Sequence, residues 1–431
     1  MIRTQLPSEA RDRARQPEHD DGALRIAVVT ETYPPEVNGV ALTLARVVRS
    51  LAARGHEVTL VRPRQAGDAE RDFVVDAHLA QHLVSGLPIP RYPHLRMGLP
   101  AGALLQRLWT TRRPDVVHVA TEGPLGWSAV RAARRLAIPV TSDFRTNFHA
   151  YAGHYGAAWL RRPMLGYLRA FHNRTAATTV PTEALRRQLQ GDGFHNLAVV
   201  SRGVDVGHFD PALRSLELRR RWQAEATDPV VLYVGRLAAE KNLDLLVRSM
   251  QAIRAAHPRA RLVLVGDGPL REALQAQLPQ AVFAGQRHGA ELAAHYASAD
   301  LFLFPSLTET FGNVVVEAMA SGLAVVAFDC AAAAQLIEPG RSGELVACDN
   351  EAQFERSAIA LAGSRATREA LGRQARRRAT AYGWDTVLGS FEAVLRRAIG
   401  AGAGHAGSSR GGTLAEAGLA RGAAAKLAAP R

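Results

Sequence analysis

Short apolar runs rich in β-branched residues, each closed by a turn residue, alternate along the chain with longer segments of helical period. In the first half they fall at 24–30, 56–62, 115–120, 138–142 and 176–180. In the second half they fall at 230–235, 261–266, 281–285, 301–305, 323–328 and 344–346. Runs that stay apolar at successive positions belong to strands buried on both faces, which are parallel strands joined by crossover helices. The pattern therefore predicts an α/β chain of two Rossmann-like, doubly wound domains over 24–200 and 201–380, with the join near 195–203. Trp384, Val387, Leu388, Phe391, Val394, Leu395 and Ile399 recur at helical spacing. They predict a closing helix within 381–400 that packs back on the body. The flanks, 1–23 and 401–431, lack such a pattern and are expected to be disordered tails.

Composition narrows the function classes. The 431 residues, 47% of them hydrophobic, suffice for two cores. The only cysteines, Cys330 and Cys348, form no C-x-x-C pair, so neither a disulfide framework nor a thiolate metal site is expected, and a reducing compartment suits the chain. The first 23 residues lack the apolar centre of a signal peptide, and no run reaches the ~18 apolar residues of a membrane span. A cytoplasmic protein, either free or peripheral on the inner face of the cell membrane, is the expectation.

The net charge of +13 is unevenly spread. Residues 24–200 hold 22 Arg against 12 Asp and Glu, a net of +10, whereas 201–399 hold 23 basic against 22 acidic residues, a net of +1. A solvated surface, or attraction to an anionic membrane or a phosphorylated acceptor, would explain this excess. The segment Trp159 to Arg174 mixes large apolar and basic residues, as an interfacial helix or a buried crossover helix would. No interleaved aromatic and basic pattern suggests a nucleic-acid partner. Of the 53 basic residues only Lys241 and Lys426 are lysine. Lys241 therefore stands out, because a flexible ammonium and a planar guanidinium are not interchangeable.

In doubly wound sheets ligands bind beyond the carboxyl ends of the strands, and four loops there carry candidate chemistry. Thr30 to Val40 ends in Asn38-Gly39, where Gly39 would let backbone N–H groups meet an anion, although turns of this kind use Asn-Gly routinely. Gly235-Arg236 through Lys241 brings two cations to one strand end, able to neutralise a diphosphate leaving group without a metal. Gly266-Asp267-Gly268-Pro269 is a tight turn near a nucleotide and a poor dinucleotide fingerprint. The fourth loop runs from Pro305 to Gly322. Gly312, Asn313 and Val314 would open a helix whose free N–H groups suit a phosphate, and Glu309 and Glu317 would face one crevice and accept hydrogen bonds from sugar or ribose hydroxyls.

The string from Glu309 to Glu317 with Phe311-Gly312 between resembles the E-x7-E motif of retaining glycosyltransferase family four, which has the GT-B fold. Gly235-Arg236 to Lys241, Gly203-Val204-Asp205, the Gly266 turn and Tyr382-Gly383-Trp384 extend the resemblance over about 24–399. Tyr33 to Val40 is most similar to the branch of GDP-mannose-dependent α-mannosyltransferases and sulfoquinovosyl-diacylglycerol synthases. The resemblance implies a metal-independent enzyme that moves a hexose from a GDP- or UDP-linked sugar, its co-substrate, to a lipid or glycan acceptor, with no separate cofactor. It implies that Arg236 and Lys241 bind the diphosphate, Glu317 the ribose, Glu309 and the N–H groups at Gly312 and Asn313 the sugar, and that Gly39 closes on the phosphates. Where many relatives carry a histidine near the donor sugar, this chain has Arg145, with His149 close by; either could serve, or the sugar specificity differs and His149 is an ordinary loop residue. A nucleotide-sugar epimerase of the same fold and a non-catalytic nucleotide-sugar-binding protein are the alternatives.

Overall fold

The computed structural model describes residues 22–36, 39–65, 68, 73–89, 92–145, 161–309 and 311–408. The predicted tails before residue 22 and after 408, and His149, lie outside the described residues. Strands β1 (Arg25–Val29), β2 (Glu57–Pro63), β3 (Phe73–Asp76), β4 (Leu79–Val84), β5 (Gly86–Ile89), β6 (Tyr92–Gly98), β7 (Val116–Val119), β8 (Val140–Asp143), β9 (Ala177–Val180) and β10 (Leu197–Val199) occupy the first half. Helices α1 (Gly39–Ala53), α2 (Gly102–Thr111), α3 (Pro124–Arg135), α4 (Arg161–His172) and α5 (Glu183–Gly191) connect them. In the second half come α6 (Leu216–Arg221), β11 (Val230–Val234), α7 (Leu243–Ala256), β12 (Arg261–Val265), α8 (Arg271–Gln277), β13 (Val282–Gly285), α9 (Gly289–Ser298) and β14 (Leu301–Phe304). These are followed by α10 (Asn313–Ala320), β15 (Ala324–Phe328), α11 (Ala331–Leu336), β16 (Glu344–Val346), α12 (Glu351–Gly363), α13 (Arg365–Thr380) and α14 (Trp384–Ser408).

Among the described residues the strands form two main sheets. The first has the order β10-β9-β8-β7-β1-β2-β4-β3 and is parallel except for the β3–β4 pair; the second, β13-β12-β11-β14-β15-β16, is parallel throughout. Every apolar run named from the sequence contains a strand. Alternation explains why the runs are apolar at successive positions: Ile26 and Val28 of β1 pack with α1, while Ala27 and Val29 pack on the opposite face with α2 and α3. In β11, Val230, Leu232 and Val234 likewise divide from Val231 and Tyr233. The pattern missed β3 to β6 and β10. Proline and glycine interrupt β5 and β6, which form a hairpin, and β10 is a half-exposed edge of three residues.

The chain passes between the two sheets at adjacent points. Val204 N–H donates to the Tyr382 carbonyl at 3.0 Å and bridges to Gly383. Beside them Gly203 lies under Trp384, so closely that a Cβ there would come within 2.5 Å of the ring. The closing helix is longer than the pattern implied, running to Ser408 rather than ending near 400. It returns to the first domain, where Val387, Leu388, Phe391, Val394 and Leu395 join Ile26, Val28, Leu44 and Leu51 in one core. Arg54, just past the end of α1, fastens it from outside, donating to Glu392 and to Asp385, each at 2.9 Å.

Phe391 sits edge-on to the buried His118 ring, 4.8 Å between centroids, so truncating it opens a cavity where α14 meets the sheet. We expect Phe391→Ala to destabilise the protein by about 3–5 kcal/mol, read as a lowered denaturant midpoint; an unchanged midpoint would mean that α14 is not part of the cooperative unit.

Candidate active site

A cleft of about 1030 Å³ opens between the carboxyl ends of the two sheets. The first domain supplies Gly39, Glu31, Glu36, Arg96, Glu122, Arg145 and Tyr167, the join Arg202, and the second domain Arg236, Glu240, Lys241, Glu309, Gly312, Asn313 and Val314. Two helices begin at its walls, α1 with Gly39 and α10 with Asn313. The positive dipole ends of these two helices give the cleft two places for phosphate. Gly312, at φ +92, turns the chain into α10 from the left-handed region that a side chain resists.

On the second-domain wall the charges are paired. Lys241 Nζ donates to Glu309 Oε1, which also accepts from Ser306 Oγ at 3.0 Å. Arg236, 54% exposed at its side chain, reaches Glu240 at 3.4 Å. An anion entering here would find two cations already held near the start of α10, each by a single carboxylate.

Two sequence expectations need correction. Glu317 does not line the cleft with Glu309, because α10 begins at the wall and runs away from it, carrying the fifth helical residue about 6 Å deeper. There it accepts from Tyr296 Oη at 2.9 Å, and burial pushes its carboxyl up to about 7. Gly266 also stands back from the cleft. At φ +135 its backbone packs on Gly235, where a Cβ would lie 2.0 Å from the carbonyl oxygen, so its requirement is close approach of two strand ends.

On the first-domain wall Arg145 is buried against Asp143 at 2.5 Å, with Arg202 reaching the same carboxylate at 3.4 Å. The two guanidiniums hold Asp143 at about 2 despite complete burial. Glu31 lies at the end of β1 with its Oε1 accepting from Leu125 N–H at 3.0 Å, at the start of α3. A Cβ on Gly123 would strike that carboxylate at 2.1 Å, so glycine is needed there. Burial nevertheless outweighs the N–H donors and pushes Glu31 up to about 7. Beside it Glu122, 8% exposed, has His172 Nε2 3.4 Å from Oε1. Sequence reasoning missed Glu31 and Glu122. Their only signal is position, each lying just after a strand end, with no distinctive motif around it.

The apolar residues expected to face a membrane from the segment ending at Arg174 are divided. Leu168 and Phe171 of α4 are buried in the domain, as a crossover helix requires, while Tyr167 is 46% exposed. Trp159 and Leu160 lie outside the described residues.

The sequence profile of Glycosyltransferase Family 4 matches residues 37–208, and that of Glycosyl transferases group 1 matches 228–364. A GDP-mannose-dependent α-mannosyltransferase of Mycobacterium tuberculosis is 36% identical over 378 residues, 87% of this chain and 98% of that protein. The sulfoquinovosyl transferase of Arabidopsis thaliana is 31% identical, covering 84% of this chain and 71% of that one. Among solved structures, sucrose-phosphate synthase from Thermosynechococcus elongatus superposes with a TM-score of 0.71 at 18% identity, over 88% of this chain and all of the other. Two domain profiles that meet at the cleft, and relatives aligned across both of its walls, establish that the chain belongs to the retaining glycosyltransferases of family 4.

Proposed function

We propose that this enzyme transfers mannose from GDP-mannose to a hydroxyl of a lipid acceptor at an anionic membrane surface, without a metal ion. The observation that carries the donor half is the Lys241–Glu309 pair at the start of α10. Its components suit the two ends of a nucleotide-sugar: the ammonium a diphosphate, the carboxylate the sugar hydroxyls. Donor entry exchanges this internal pair for two contacts with the substrate, and Arg236 leaves Glu240 for the diphosphate in the same way. Charge then builds on the departing diphosphate between Lys241, Arg236 and the N-terminal ends of α10 and α1, at Gly39. Retention follows from attack on the face the diphosphate leaves, with the leaving oxygen taking the acceptor proton. Arg145, fixed by Asp143, orients the donor sugar. The choice of GDP-mannose rests on the relatives named for it.

The membrane half rests on charge. Helices α2, α3 and α4 cover one face of the first sheet and together hold seven arginines and no carboxylate. Arg131, Arg134, Arg135 and Arg174 ring a surface hollow of about 340 Å³ beside Trp127, over whose ring Arg131 and Arg174 stack at 5.6 and 5.4 Å. No helix among the described residues is long and apolar enough to cross a membrane. We read this face as a peripheral dock on the inner leaflet.

Lys241→Ala and Arg236→Ala should each lower turnover of GDP-mannose about 10²-fold or more in the presence of EDTA, with melting temperatures near that of the parent; rates within threefold for both, or full dependence on added magnesium, would remove the assignment. For Glu317 the folded pKa lies above the ordinary 4.5, so the folded protein holds an extra proton between about pH 4.5 and 7 and loses stability as pH rises through that window. Glu317→Gln removes that loss: equal to the parent at pH 4.5, it should be more stable by ~1–3 kcal/mol at pH 8, read as a raised denaturant midpoint. Vesicles containing phosphatidic acid should sediment the protein at 0.1 M salt and release it at 1 M, where the screening length falls from ~10 to ~3 Å, and the double variant Arg131→Glu, Arg134→Glu should stay in solution at both. Binding that ignores salt and these substitutions would point to a soluble acceptor.

A further inference from the structure

The only two cysteines of the chain meet at one sheet edge, beside the donor wall of the cleft. Strands β15 and β16 run parallel, and their last paired residues are Phe328 and Val346. The Asp329 N–H then donates to the Val346 carbonyl at 2.8 Å, so the ladder continues past that pair. Cys330 and Cys348 each stand two positions beyond it, and their thiols come within hydrogen-bonding reach of each other. Cys348 Sγ also lies 3.8 Å from the carbonyl oxygen of Asp329, the residue before its partner. Neighbouring strands are ~4.8 Å apart, inside the ~4.4–6.8 Å between α-carbons that a disulfide spans.

The same strand end supports the loop that holds Glu309. Cys330 Sγ donates to the Ser306 carbonyl at 3.9 Å, and the Ala332 N–H donates to the Phe311 carbonyl at 2.8 Å. Residues 330–332 thus prop the loop on both sides of Glu309, whose carboxylate accepts from Ser306 Oγ and from Lys241.

We propose that Cys330 and Cys348 are a redox-responsive pair, and that closing them to a disulfide loosens the Glu309 loop and weakens nucleotide-sugar binding. The second half rests on the reading of Lys241 and Glu309 as the donor site. The oxidant is a small-molecule disulfide of the oxidised-glutathione class. Burial pushes the Cys330 thiol up, so the attack starts from the exposed Cys348. Its thiolate attacks one sulfur of the reagent and expels one thiol, leaving a mixed disulfide. Cys330 then gives up its proton and attacks the Cys348 sulfur, expelling the second thiol. Two electrons pass to the reagent, and the protons of the two protein thiols end on the two thiols released. The S–H that donated to the Ser306 carbonyl is consumed, and its sulfur is bound to Cys348 instead. Disulfides of reducing compartments are transient, sensing ones, which suits a pair that is reduced in the resting fold.

The test uses the full chain equilibrated with oxidised or with reduced glutathione, and titrates whichever of GDP-mannose and UDP-glucose stabilises the reduced protein. A wrong choice of donor therefore shows in the reduced protein and does not enter the comparison. If neither donor stabilises it, the donor reading falls and takes the second half of the proposal with it, while the cross-link is judged by itself. Oxidised glutathione should yield a peptide joining Cys330 to Cys348 and weaken donor binding at least about fivefold, the worth of one lost hydrogen bond. Dithiothreitol should reverse both changes. Cys348→Ser should form no cross-link and bind the donor equally in the two buffers. Reversal in the parent needs no variant, so a misfolded variant does not decide the matter. Thiols that stay free or carry only glutathione after equilibration, or a cross-linked protein whose donor affinity is within twofold of the reduced form, would overturn the proposal.

Discussion

The whole site depends on one constraint, the double passage of the chain between its two sheets at a single place. Val204 and Tyr382 are 178 positions apart, yet they share a backbone hydrogen bond, and Trp384 closes over Gly203 beside it. Two strands of chain bound side by side form a narrow joint. The helix beyond that joint buries its apolar stripe in the first domain, so the second domain is tied at both ends of its sequence to the same edge of its partner. This keeps the carboxyl ends of both sheets facing each other across a gap wide enough for a nucleotide-sugar. It also leaves rotation about the joint as the natural way for the walls to approach.

Within the gap the protein has prepared its charges without spending them. Lys241 with Glu309 is held as a pair where solvent is restricted and isolated charges would be costly, and Arg236 with Glu240 is a more exposed pair beside it. Pairing lowers that cost and fixes the groups in place. A substrate carrying both a diphosphate and hydroxyls can break the pairs and satisfy both partners, whereas a free phosphate leaves the carboxylates stranded. On the proposed reading, that exchange is the source of specificity for a nucleotide-sugar over its fragments. Burial works in the other direction at Glu31 on the cleft wall and at Glu317 behind it, raising both to about 7.

The sequence alone determined the architecture and the loops of interest. Strands buried on both faces must be apolar at successive positions, so β1, β11 and β14 announce themselves without any knowledge of their neighbours. The donor-wall residues were legible for a related reason. Lys241, Glu309, Gly312 and Asn313 lie on short segments after strand ends, where the topology of a doubly wound sheet places ligands, and their spacing is local. The hairpin of β5 and β6 escaped notice because its stability comes from pairing and not from a run of apolar residues.

Tertiary structure decided what local spacing could not. Glu309 and Glu317 are eight residues apart on paper, but a loop followed by a helix pointing away from the cleft sends one to the wall and the other behind it under Tyr296. Arg145 becomes a fixed group only because Asp143 and Arg202, the latter 57 positions further along, meet it in the folded chain. Glu31 and Glu122 become neighbours only when β1 and β7 pair, 91 positions apart. Hydrophobic period is a property of consecutive residues and survives in one dimension. Electrostatic environment is set by distance and burial, which belong to the folded molecule alone.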